Sequence, residues 1–131
     1  FGEELIIDNT EKALAKICAK TKSLVSEYTV APIFMKEEKQ GAHEWIIEFA
    51  KIPESISIFT DLLDRALQDE NSDYEAKRYK NMTLHKPKIN VARKGLFYKW
   101  LSKNKKLGGQ HKVPRLSNSR NFLDELLKMN S

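Results

Sequence analysis

The chain has 131 residues, 40% of them apolar and 31% charged, the size and balance of one domain able to bury a core, which excludes a disordered tail. No apolar run approaches the roughly 18 residues that crossing a bilayer requires, and the single cysteine, Cys18, excludes a disulfide framework or a multi-thiolate zinc site and suits a reducing, cytoplasmic setting. The net charge of +5 is unevenly divided, with 8 Lys and Arg against 14 Asp and Glu in residues 1–70 (net −6) and 15 against 4 in residues 71–131 (net +11), an imbalance expected where one face meets nucleic acid, a membrane surface or a phosphate-bearing ligand.

The chain opens at Phe1 without an initiator methionine or a leader pattern and reads as part of something longer. Glu4 to Ile7 reads as a short extended run. Asp8 and Glu11 have capping-box spacing, so a helix is expected to begin there. Its stripe is Leu14, Ile17, Cys18, Leu24 and Val25, which makes Cys18 a core residue. Tyr28 to Met35 and Ala42 to Ala50, joined by a polar stretch ending at Gly41, predict a β-hairpin with Pro32 at an edge or bulge. In its second strand His43, Trp45, Ile47 and Phe49 are expected inside, and Glu44, Ile46 and Glu48 on a partly wet face.

Pro53 and Ser55 introduce a second helix with Ile56, Phe59, Leu63, Ala66 and Leu67 on its stripe, and the carboxylates Asp61 and Asp64 fall on its solvated flank. Ser72 to Lys80 predicts a short helix, Lys88 to Val91 a strand after Pro87, Leu96 to Leu101 an amphipathic helix after Gly95, and Asn118 to Met129 a last helix. The order predicts an α+β fold: a single two-layer domain over 1–131, with a small mixed or antiparallel sheet packed against helices, mainly on one face.

Lys103 to Arg115 is the most unusual segment. Gly108 and Gly109 let the backbone approach a ligand or turn with positive φ, and Lys112 and Arg115 follow in a stretch stiffened by Pro114. The plainer alternative is that Lys103, Lys105 and Lys106 are solvated and the glycines merely turn the chain. His43, His85 and His111 have no partner at metal-ligand spacing, so no metal site is expected, and Ser117 and Ser119 lack the context of an activated nucleophile. Phe97 and Trp100 lie on an apolar stripe and read as core. The basic half with Tyr79 and Tyr98 leaves open a stand-alone module for nucleic acid or an acidic partner.

Asn71, Ser72, Tyr74 and Arg78, then Pro87 and Ile89, then Gly95 and Phe97, then Gln110, Lys112, Pro114 and Arg115 stand in a particular order and spacing. In this the chain resembles the C-terminal region of the auxin-responsive acyl acid amido synthetases, the Gretchen Hagen family, and Glu27-Tyr28-Thr29 adds to the likeness. Leu116 stands where the plant enzymes carry cysteine, and the stretch between Gly95 and Gln110 differs from theirs, which resembles a bacterial branch.

The resemblance implies that these residues are the C-terminal lid domain of an adenylate-forming ligase. A large N-terminal domain would hold ATP, Mg2+ and the carboxylic acid; an acyl-adenylate would form, and an amine, commonly an amino acid, would take the acyl group. It implies that Lys112 is catalytic and contacts the nucleotide phosphates. Arg115 would either share the phosphate or pin the loop to an acidic residue of its own domain. Gly108 and Gly109 would be the hinge, and Tyr74, Arg78 and Gln110 would support the loop. The implied partners are ATP, the acid, the amine and the N-terminal domain, with no membrane, and the 131 residues alone are not expected to be active. Lysine chemistry suits such a role, because the ammonium is a compact charge on a long reach, able to stabilise charge gathering at phosphorus where water is excluded.

Overall fold

The chain runs through α1 (Ile7–Thr21), β1 (Leu24–Met35), β2 (Gln40–Lys51), α2 (Ile56–Glu70), α3 (Ser72–Arg78), β3 (Lys88–Val91), α4 (Leu96–Lys106) and α5 (Asn121–Met129). This computed structural model describes residues 4–35, 40–81, 83–106 and 112–131. Residues 4–7, expected as an extended run, form no strand and lead directly into α1. The Ile6 amide donates to Asn9 Oδ1 at 3.0 Å, so Asn9 closes the first turn while Asp8 sits within it, near the positive end of the helix dipole. Helix α2 starts as expected: Ser55 Oγ accepts from the Ile58 amide at 3.1 Å. Asn71 Oδ1 does the same for α3, accepting from Asp73 and Tyr74.

β1 and β2 pair antiparallel, with Tyr28 opposite Ile47 and Val30 opposite Trp45, and β3 returns parallel to β2 after the α2–α3 crossover. At the hairpin's far end a Cβ on Gly41 would lie 2.8 Å from the Ile33 carbonyl oxygen, so this close strand approach requires glycine. Two single parallel bridges extend the sheet, Gly41 to Leu84 beside β3 and Val30 to Leu116 on the outer side of β1.

The α+β class and small mixed sheet are as expected, but the helices are shared between both faces. On one, Leu14 and Ile17 of α1, Phe59, Leu63 and Leu67 of α2 and Tyr74 of α3 pack on Tyr28, Val30, Trp45 and Ile47. On the other, Leu96, Phe97 and Trp100 of α4 and Leu123 and Leu126 of α5 pack on Ala31 and Ile46. Phe97 and Trp100 are therefore core, as their spacing indicates. The face of β2 expected to be partly wet is largely covered, with Glu44 only 5% exposed. Its carboxylates are acceptors: Glu44 takes Asn90 Nδ2 at 2.9 Å and Arg120 Nη2 at 2.8 Å. Glu48 takes the Gly95 and Phe97 amides at 3.2 and 3.1 Å, capping α4 from the sheet.

Candidate functional site

Lys112 is exposed, and the residue after it, Val113, is buried in the core formed with α4 and α5. The following residues are laced to β1. Thr29 Oγ1 donates to the Pro114 carbonyl at 2.6 Å, the Val30 amide to the Arg115 carbonyl at 2.8 Å, and the Ser117 amide to the Val30 carbonyl at 3.0 Å. Leu116 packs against the core on the α1–α2 face. The strand supplies a row of donors and acceptors along its outer edge, and the chain after Lys112 satisfies part of it. An exposed lysine thus stands directly before a fixed segment. Gly108, Gly109 and Gln110, expected as hinge and support, lie outside the described residues, as does His111.

Arg115 carries the side-chain part of this attachment. Its Nη1 pairs with Glu27 Oε1, its Nε lies 3.3 Å from Glu11 Oε1, and its guanidinium sits 4.8 Å from the centroid of the Tyr28 ring. Tyr28 is itself fixed: its hydroxyl shares a 2.7 Å hydrogen bond with Thr10, its ring stacks on Trp45, and burial pushes its phenol pKa up to about 12. Arg115 thus meets two acidic residues of its own domain, Glu11 and Glu27.

Tyr74 and Arg78 are brought together elsewhere, around Asp64. That carboxylate, read from the sequence as solvated, is 6% exposed. It accepts from Tyr74 Oη at 2.7 Å and from Arg78 Nε and Nη2 at 2.8 and 2.6 Å, while Arg78 Nη1 donates to the Leu84 carbonyl at 3.0 Å. Burial, with Asp64 beside it, raises the Tyr74 phenol far above its ordinary value and keeps it a donor. These contacts brace α2, α3 and the Leu84 bridge. The signal was present in the sequence: Asp64 lies four residues after Thr60 and three before Leu67, on the stripe of α2.

The charge imbalance between the halves is partly consumed inside the domain. Lys77 pairs with Glu4, Arg78 with Asp64, Lys86 with Asp61, Lys88 and Arg120 with Glu44, and Arg115 with Glu27. Each joins a cation of the basic half to a carboxylate of the acidic half. An open cleft of about 520 Å³ lies between the end of α1, the end of β2 and the start of α2, lined by Lys20, Lys22, Lys51, Pro53 and Ile58 among others. None of the described candidate site residues, Tyr74, Arg78, Lys112 and Arg115, lines it.

Residues 8–121 match the profile of the GH3 family C-terminal domain. No curated protein matches the chain. Among solved structures the fold is similar to a GH3.15 acyl acid amido synthetase and to AtGH3.15 acyl acid amido synthetase in complex with 2,4-DB. Each has a TM-score of 0.66 and 16% identity over 94% of this chain. The chain spans 22% and 23% of the length of those two proteins.

Proposed function

The chain belongs to the GH3 family C-terminal domain, and from that premise we propose that it is the lid of an ATP-dependent acyl acid amido synthetase whose larger part lies outside these 131 residues. In this reading the whole enzyme, in the cytoplasm, activates a carboxylic acid as an acyl-adenylate with release of pyrophosphate and passes the acyl group to an amine such as that of an amino acid. Leu116, where plant members carry cysteine, suits a bacterial branch. The role of this chain is to bring Lys112 to the nucleotide phosphates, with Gly108 and Gly109 as the hinge and Gln110 beside them.

The observation that carries the reading is an exposed Lys112 directly before the buried Val113 and the bonded run Pro114–Ser117. An ammonium on such a base fits a polyphosphate, because a cation placed in advance stabilises developing charge without reorganising at the moment of reaction. ATP supplies the activating nucleotidyl group when bound. Among the described residues no cluster of His, Cys, Asp or Glu is placed to hold a metal ion, and no residue of this chain is assigned to Mg2+. Arg115, engaged with Glu27 and Glu11, is assigned to holding the segment, and Tyr74 and Arg78 to the brace at Asp64. The alternative, a stand-alone basic module, draws less support because Lys77, Arg78, Lys86, Lys88, Arg115 and Arg120 already meet carboxylates of the same domain.

The test is ATP–pyrophosphate exchange by the full-length protein with a panel of carboxylic acids that begins with 2,4-DB. Lys112→Ala is expected to lower exchange by about a hundredfold, in line with the loss of about 3 kcal/mol of transition-state stabilisation typical of such a contact. Undiminished exchange in a folded variant rejects the role. Tight ATP binding by the 131 residues alone would reject the divided site.

A further inference from the structure

We infer that Glu27, with Thr29 beside it on β1, is a positioning residue for Lys112, acting through the segment Val113–Ser117. The inference rests on the assignment of Lys112 to the phosphates, but its structural half stands apart from that assignment. Lys112 stands three positions before Arg115, so its Cα lies within about 11 Å of the Arg115 Cα even in a fully extended chain. Whatever fixes Arg115 therefore limits where the ammonium can be delivered.

Glu27 is placed to do this. One of its oxygens, Oε1, takes both the Arg115 guanidinium and, at 3.1 Å, the Tyr28 amide. The same carboxylate thus ties the cation to the strand's own backbone. Glu11 approaches Arg115 from α1, and the Tyr28 ring lies beneath it, so the guanidinium is held from the helix, the strand and the aromatic core at once. Thr29, 1% exposed, fixes the next carbonyl upstream through its bond to Pro114. A buried hydroxyl with that single carbonyl as its acceptor aligns the backbone two residues from Lys112. Glu27 makes a charge-assisted bond, and Glu11 an ion pair, to a one-third-exposed arginine, an arrangement that contributes little to global stability but defines a local geometry.

The test is a double-mutant cycle in the full-length protein with the acid that supports the fastest exchange. Glu27→Ala is expected to lower ATP–pyrophosphate exchange by about tenfold, as small misplacements of a catalytic group do, and Glu27→Gln, which keeps an acceptor for Arg115, to recover part of it. In a Lys112→Ala background Glu27→Ala is expected to have no further effect; an equal loss in both backgrounds overturns the proposal. The second readout uses the full-length protein and no substrate. Hydrogen exchange at the Val30 and Ser117 amides, which bond across the segment, is expected to speed up by about tenfold in Glu27→Ala with the amides of α2 unchanged. Faster exchange at these amides with unchanged catalysis in Lys112→Ala would reject the role of Lys112 while leaving Glu27 as the fastener. Unchanged exchange at both amides overturns the proposal itself.

Discussion

Arg78 and Arg115 both come from the basic half of the chain and both reach carboxylates of the acidic half, yet their surroundings differ in kind. Arg78 is enclosed: its partner Asp64 is buried, Tyr74 shares the carboxylate, and the remaining nitrogen caps the Leu84 carbonyl. Arg115 lies at the rim, on the Tyr28 ring with Glu27 and Glu11 beside it, one third exposed. The same pair of residue types therefore serves two ends. The buried one locks helices together, because an unpaired charge there would be costly. The exposed one costs little to release and holds a segment in place.

The comparison breaks first at Asp64. Asp64→Ala leaves Arg78 and Tyr74 without their shared acceptor and is expected to cost about 3–5 kcal/mol of stability in urea unfolding; a loss below about 1 kcal/mol would mean the site is not closed. Tyr74→Phe removes one hydrogen bond to that carboxylate and is expected to cost about 1.5 kcal/mol. At the rim Arg115→Ala is expected to cost about 1 kcal/mol, the sum of a half-exposed ion pair and a ring contact, and a loss as large as that of Asp64→Ala would erase the distinction. Lys112→Ala is expected to change stability by less than about 0.5 kcal/mol, so that its effect on exchange reads chemistry and not folding.

Acid sharpens the contrast at a third carboxylate. A hydrogen bond from His43, with Lys77 at 2.5 Å, holds the Glu4 carboxyl at about 2 against an ordinary 4.5, although burial opposes the shift. A depressed folded-state pKa contributes stability that is complete above the unfolded value and disappears as pH falls toward the folded one. The stability gap between the native chain and Glu4→Gln is expected to be constant above about pH 5 and to shrink between 4.5 and 2, measured by urea titrations at stepped pH. A gap that does not change over that window would contradict the pairing.

Most of the elements are legible in the sequence because their signals are local. Ser55 and Asn71 cap the helices that follow them, the period of Ile56 to Leu67 is helical, and Gly41 ends the hairpin at a contact that admits no side chain. Asn9, by contrast, takes the capping role that the Asp8–Glu11 spacing suggested, since either pattern offers a side-chain oxygen near the first turn. What the sequence hides is long-range. Glu44 and Glu48 look like wet positions until Arg120, Asn90 and the start of α4 arrive to meet them, 46 to 76 residues on. Asp64 looks solvated until Arg78 folds back on it. The same ignorance of partners made the basic half look wholly available to an outside anion. For the site, the motif around Lys112 is legible only through family resemblance, whereas its attachment to Glu27 and Thr29 spans 85 to 88 residues and has no local signature.

The bridge between Val30 and Leu116 has a consequence for biogenesis. As the polypeptide leaves the ribosome, the hairpin is complete long before the stretch that shields its outer margin, because the two meet across 85 to 86 residues of sequence. Until that stretch arrives, the margin presents unsatisfied amides and the slot filled by Leu116 to any neighbouring molecule. Nascent or truncated products ending before Leu116 are thus the species most prone to self-association, and adding the stretch that carries Leu116 is what removes the hazard.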